Sequence, residues 1–209
     1  MSVLIFIDTA DGHVKKASLE AMTYGAKVAD QLGTTAEGVV LGAAKDDLAS
    51  LGKYGVKKIH HVSNDSLNHL DAQIYANVMA QVVQASGATV VVFSNNADGK
   101  AIAPRLSARL KAGLVSGAVA LPDTGNGFIV KKNVFSGKAF ANISVSTPIK
   151  IIALSPNAYQ TIATEGTAEV AAFSATVDTP KVKVTSITKA SGEVPLTEAE
   201  VVVSAGRGM

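Results

Sequence analysis

The arginine in Gly206-Arg207-Gly208, soon after the apolar run Val201-Val202-Val203, is the residue best suited to chemistry with phosphate. A guanidinium presents a planar fork of donors that fits phosphate oxygens, and bonds of this charge-assisted kind are strong. A Gly-rich loop cradles an anion only when its amides and the amino end of a following helix converge on it. The sequence stops at Met209, so half of such a motif is expected, and within this chain alone Arg207 reads as a fraying tail.

Other candidates are weaker. Gly99-Lys100 suggests a phosphate loop, but that signature needs Gly five residues before the pair and a hydroxyl after it; Ser94 and Ala101 stand there. Helix initiation, with Asp98 near the amino end, is the reading adopted. Arg105 and Arg109, four apart, form a basic helical ridge. His60 and His61 lie near the end of an expected strand, and neighbours on a strand point to opposite faces, so the pair cannot hold one ion. His13 and His69 are distant in sequence, and no metal site is expected. Asp8 follows the first apolar run, where open α/β sheets bind ligands; it is read as a cap or loop anchor. There is no Gly-x-Ser-x-Gly elbow and no cysteine, hence no thiol nucleophile, thiolate metal site or disulfide. The chain is not expected to be an enzyme.

These residues must be positioned by alternating elements. Residues 3–7 form an apolar run typical of a strand buried on both faces. In residues 15–32, Ser18, Ala21, Met22, Gly25, Val28, Ala29 and Leu32 recur at steps of three and four, predicting a helix with a small-residue face that stops at Gly33. Strands are expected at 39–41, 58–62 and 89–93, and a short polar helix around 46–51. Helices are expected at 71–86, where Ile74, Val78 and Val82 repeat, and at 98–111, with Ile102, Leu106 and Leu110 on one face. Such alternation predicts right-handed βαβ units and a mostly parallel sheet. Beyond Gly113 the pattern becomes β, with turns at Asn126-Gly127 and Ser136-Gly137. A half-exposed antiparallel strand is expected at 139–145, a buried strand at 149–154 and an alternating one at 181–187. The predicted fold is therefore α/β, three-layered and mostly parallel, with an appended antiparallel β layer. Residues 1–189 are assigned to that domain, 190–200 to a linker, and 201–209 to the first strand and loop of a further domain.

Composition supports this outline. Of 209 residues 47% are hydrophobic and only 17% charged, enough to bury a large core. The net charge is +2, with basic residues scattered or in short pairs, so nucleic acid is excluded as an expected partner. No apolar run approaches the roughly 20 residues that span a bilayer, and the amino terminus lacks signal-peptide features. A soluble protein of the cytoplasm, or of a compartment like the mitochondrial matrix, is expected.

Three stretches together resemble the α subunit of electron transfer flavoproteins. Residues 96–110, Asn-Ala-Asp-Gly-Lys-Ala-Ile-Ala-Pro-Arg-Leu-Ser-Ala-Arg-Leu, are similar to the family's Gly-Lys and Pro-Arg-Leu-Ala pattern, and residues 113–116 to the segment after it. Residues 132–139 look like its aromatic-x-Gly-x-Ala hairpin. Residues 201–208, Val-Val-Val-Ser-Ala-Gly-Arg-Gly, resemble its entry to the flavin domain, with Ala205 in place of the usual Gly, which restricts the loop. The resemblance covers essentially the whole chain and implies an amino-terminal domain cut before the FAD-binding domain, on a sheet like that of adenine nucleotide α hydrolases.

The resemblance also implies a heterodimeric carrier that takes electrons from acyl-CoA and related dehydrogenases, as in fatty acid β-oxidation, and passes them to a membrane quinone oxidoreductase. FAD sits mainly in the α subunit's second domain, and AMP in the partner β subunit. Of the flavin contacts only Arg207 maps onto this chain, and only the intact subunit would use it, so no cofactor is expected in this piece. The alternative is an autonomous adenine-nucleotide-binding protein of the universal-stress or hydrolase-like type. It requires a Gly-rich phosphate loop inside the domain. The best stretch, 94–99, has one Gly and carries Asp98, which would repel phosphate.

Overall fold

The computed structural model describes residues 1–182, 184–188, 199 and 201–206. Its centre is β1 (Ser2–Phe6), all five residues of which are buried. Strand alternation sends Val3 and Ile5, followed by Ile7, to one face and Leu4 and Phe6 to the other, and each set packs into its own core. Both faces are covered by helices, which is why the run is apolar throughout. Each such fully buried side chain contributes roughly 1.5–3 kcal/mol.

A small hairpin of β2 (Thr9–Ala10) and β3 (His13–Val14) leads into α1 (Lys16–Gln31). Most of the small-residue face expected on this helix is its buried face: Ser18, Ala21, Met22, Gly25, Val28 and Ala29 lie inside, whereas Leu32, also expected on it, follows the helix and is exposed. Gly25 allows the close approach, since a Cβ there would meet the Ile5 side chain at 2.5 Å. Next come β4 (Thr35–Leu41), a 3-10 helix (Leu48–Tyr54) where a short polar helix was expected, and β5 (Lys58–Val62). A 3-10 turn (Asp65–Leu67) precedes α2 (Ala72–Ser86), which is capped by the Asp71 carboxylate and closed by Gly87. Then follow β6 (Val90–Ser94), α3 (Ala97–Leu110) and β7 (Gly113–Ala118). Helix α1 covers one face of the sheet; α2 and α3 cover the other.

Two antiparallel strands, β8 (Ile129–Val134) and β9 (Ala139–Ser144), extend the same sheet beyond β7. The expected buried strand, β10 (Lys150–Leu154), inserts in parallel between β6 and β7. Its composition, Lys-Ile-Ile-Ala-Leu, suits a site covered on both faces. The last strand among the described residues, β11 (Glu169–Ala172), pairs with β5 at the far edge; it is mostly exposed, so no apolar pattern announced it. The full order is β11-β5-β4-β1-β6-β10-β7-β8-β9, the first seven strands mutually parallel.

The alternating segment 181–187 is not a strand in its described residues. Alternation without a partner strand supplies no hydrogen bonds, so it does not make one. Val201, Val202 and Val203 are likewise exposed and join no sheet among the described residues.

The chain between β10 and residue 178 binds the layers together. Residues 155–168 cross α1, where the Glu20 carboxylate accepts the amides of Asn157 (3.0 Å) and Tyr159 (2.8 Å). They reach the 3-10 helix, where Ala168 N donates to Ala49 O at 2.9 Å. After β11 the chain passes to the opposite face as a strap on α2. Gln81 donates from Nε2 to Thr176 O at 2.8 Å and accepts from Thr176 N at 2.9 Å. Phe173, Ala175 and Val177 pack on the core beneath.

Candidate functional site

Strand order reverses between β1 and β6: the chain leaves β1 towards β4 on one side and later returns to β6 on the other. The crevice outside the carboxyl ends of such strands is where open α/β sheets take ligands. Asp8 follows β1 at that crevice; Asn96 and Asp98 follow β6; Lys15 stands just before α1.

These side chains bond to one another. Lys15 Nζ donates to Asp8 Oδ2 at 2.9 Å and to Asp98 Oδ2 at 2.6 Å. Asn96 Nδ2 donates to the same Asp8 oxygen at 2.9 Å, while its Oδ1 accepts from Gly99 N at 2.8 Å and so caps α3. Ser18 secures the loop, its Oγ accepting from Asp8 N and donating to Asp8 O. Burial pushes the Asp8 carboxyl above its ordinary value, and the neighbouring Lys15 reduces that rise without abolishing it. Burial disfavours the Lys15 ammonium, but the hydrogen bonds to Asp98 and Asp8 outweigh it and raise the lysine's pKa. Burial also pushes the nearby Tyr75 phenol up, with the Asp8 and Asp98 charges adding to it. Its hydroxyl is held by Leu67 O.

With both carboxylates ionised, the group carries two negative charges and one positive. It therefore repels an anion, and the one cation is already shared between two acids. The described residues at the switch point do not fit a phosphate, and with it neither a nucleotide nor the pyrophosphate of FAD. Asp8 acts as the loop anchor expected of it. Lys15 and Asn96 went unnoticed as its partners; the signal available was polar residues after two apolar runs, which become neighbours only if β1 and β6 are adjacent.

The remaining candidates sit apart. Gly99 lies against β6, where a Cβ would stand 1.9 Å from Ser94 O, so this glycine serves close packing; Lys100 is exposed. His60 Nε2 bonds to Glu37 Oε2 at 2.6 Å, and His61 Nε2 to Gly42 O at 2.9 Å. His60 packs edge-on against Phe173, and the two imidazoles do not converge. His13 Nδ1 meets Asp46 at 2.8 Å. Among the described residues no three metal-type ligands cluster. Arg105 and Arg109 are exposed, and Arg105 Nη1 turns onto Ala101 O of its own helix at 2.7 Å. A cleft of about 710 Å³ at the start of α2 includes Asp65, His69 and Asp71, but Asp71 already caps the amides of Gln73 and Ile74. Arg207 lies outside the described residues. No helix among the described residues is long and apolar enough to cross a membrane.

The family model of the electron transfer flavoprotein domain matches residues 3–178. The chain belongs to the electron transfer flavoprotein family. It is similar to the electron transfer flavoprotein subunit alpha of Bacillus subtilis (26% identical) and of Mycobacterium leprae (30% identical), in each case over 99% of this chain and 64% of the relative. The subunit alpha of Syntrophomonas wolfei is 26% identical over 98% of this chain and 64% of its own length. The chain thus spans just under two thirds of these electron transfer flavoprotein relatives. The family match ends at Asp178, whose carboxylate accepts from Asn77 Nδ2 of α2 at 2.6 Å, at the end of the strap.

Proposed function

We propose that this chain is the α/β scaffold of an electron transfer flavoprotein α subunit and performs no catalysis itself. It holds the β subunit, which carries AMP, and supports a flavin domain that carries FAD. Residues 1–189 form the scaffold, 190–200 the linker, and 201–209 the entry to the flavin domain, where Arg207 contacts the FAD pyrophosphate. The intact carrier takes electrons from acyl-CoA and related dehydrogenases, as in fatty acid β-oxidation, and delivers them to a membrane quinone oxidoreductase. The names of the similar α subunits support this reading.

The observation that carries it is Lys15 bound between Asp8 and Asp98. An autonomous adenine-nucleotide-binding protein would use that same crevice, and here side chains of net negative charge fill it. What remains for the sheet is to be held and to hold. Titration calorimetry of the chain with AMP and ATP checks this, with no saturable heat expected; tight stoichiometric binding favours the autonomous nucleotide-binding reading instead. Co-expression with the β subunit should yield a complex on gel filtration. For the site, Arg207→Ala in the intact subunit should weaken FAD about tenfold, as loss of a charge-assisted contact does.

A further inference from the structure

The sheet ends in an edge that lacks the usual protection. Among the described residues β9 pairs with β8 alone, so one side of Ala139–Ser144 presents unpaired backbone. Natural edges are blunted by lysine, proline or bulges. This strand, Ala-Phe-Ala-Asn-Ile-Ser, contains no charge and no proline, and its pairing with β8 runs without a register shift.

Beside the edge is a face with a definite chemistry. Strand register places Lys131 opposite Asn142 and Asn133 opposite Phe140, on one face of the hairpin. Phe140 is 60% exposed and Phe135, at the hairpin tip, 79%. The tip is built on left-handed residues, with φ of 51° at Phe135 and 56° at Ser136, conformations uncommon for side chains of this kind. Lys131 Nζ sits 4.2 Å from the Phe140 ring centroid, and both line a cleft of about 450 Å³ whose other walls include Val119, Pro156 and Asn157.

Charge decides what fits there. From residue 124 to residue 164 the sequence contains Lys131, Lys132, Lys138 and Lys150 and not one Asp or Glu. This fifth of the molecule alone exceeds the +2 of the whole chain, so the remainder is net acidic. Lys131, Lys132 and Lys138 form no ion pair among the described residues. A second copy on this edge would set lysine against lysine across it, which opposes self-pairing.

Building on the scaffold reading above, we infer that the β9 edge and the Lys131–Phe140 face dock an acidic, extended segment of the β subunit. Main-chain bonds along β9 give it affinity, a carboxylate meets Lys131, and an apolar side chain covers Phe140 in the cleft. The mode is strand addition steered by charge, so binding weakens as salt rises.

The test is amide hydrogen exchange of the full chain alone and in complex with the β subunit, together with the affinity of two variants. Exchange across residues 139–144 should slow in the complex. Lys131→Glu should weaken binding about tenfold, with a smaller salt dependence, and Phe140→Ser should weaken it by a comparable factor. Both residues are exposed, so the variants should keep the unfolding midpoint of the parent. If the parent chain forms a complex while residues 139–144 exchange unchanged, or both variants bind normally, this docking surface is wrong and the scaffold reading survives. If the parent chain forms no complex at all, both fall. Slowed exchange that grows with concentration of the chain alone would assign the edge to a second copy and overturn the proposal.

Discussion

Lys15 is the residue on which the switch point turns. It stands between two carboxylates, 25% exposed itself, with Asp8 at 8%. Removing one partner of a buried pair leaves an uncompensated charge, costing several kcal/mol when burial is complete. For this partly solvated group we expect Lys15→Met to lower unfolding stability by about 2 kcal/mol in urea titrations. Adding Asp98→Asn should recover much of that loss, because the repulsion between the two acids goes with it; an additive double mutant contradicts the shared-lysine account. Gly99 offers a second test at this scale. A methyl 1.9 Å from Ser94 O cannot be accommodated without moving α3, so Gly99→Ala should destabilise by about 2 kcal/mol or more, although alanine is the better helix former. If Gly99→Ala is neutral or stabilising, helix propensity rather than packing set that position.

At the scale of elements, the strap on α2 follows the exposed edge strand β11. Besides the packing of Phe173, Ala175 and Val177 and the Asn77–Asp178 bond, it is held by the Gln81 amide, which imitates a strand partner by giving one hydrogen bond to Thr176 and taking another. An exposed pair of this kind contributes about 1 kcal/mol. Gln81→Ala should therefore lower global stability by no more than that, yet speed amide exchange at 173–178 well ahead of β6, whose five residues are all buried. Equal acceleration in both places would mean the strap folds and unfolds with the core. Because the family match ends where the strap does, at Asp178, loosening it should also loosen whatever the strap tethers.

For the whole molecule, acid is the informative perturbant. The hydrogen bond from His60 holds the Glu37 carboxyl below its ordinary 4.5 against the effect of burial. A lowered folded-state value means stability that is present above about 4.5 and is lost as pH falls through the folded value. Asp46 behaves alike from 3.8, held down by the Val14 amide and then by His13. Asp8 runs the other way: raised by burial, it contributes stability below 3.8 that is lost as pH rises through its folded value. The acid limb of a stability-against-pH curve should therefore flatten in Glu37→Gln, with little change of slope above pH 6. A limb as steep as the parent's would assign acid unfolding to other carboxylates.

Much of this architecture is written in local pattern. The apolar run before Asp8, the steps of three and four from Ser18 to Ala29, and the repeat at Ile74, Val78 and Val82 each report burial that the backbone imposes within a few residues. The exposed alternation at 181–187 misled, because alternation describes a surface and says nothing of a partner. The strand at Glu169–Ala172 was invisible for the converse reason: it is held by its pairing with β5, and its side chains show no burial period.

The candidate site was legible as single residues and not as a site. Asp8 at a strand end, Asp98 in a helix start and Arg207 in a glycine loop could all be marked from type and position. That Lys15 lies 83 residues from Asp98, and Asn96 88 from Asp8, yet each within hydrogen-bond reach, depends on β1 lying beside β6. Composition and periodicity thus determined an α/β sheet buried on both faces. Only the order of its strands decided that two carboxylates would share one lysine at its centre, since charges interact through space and the chain's pattern records only distance along itself.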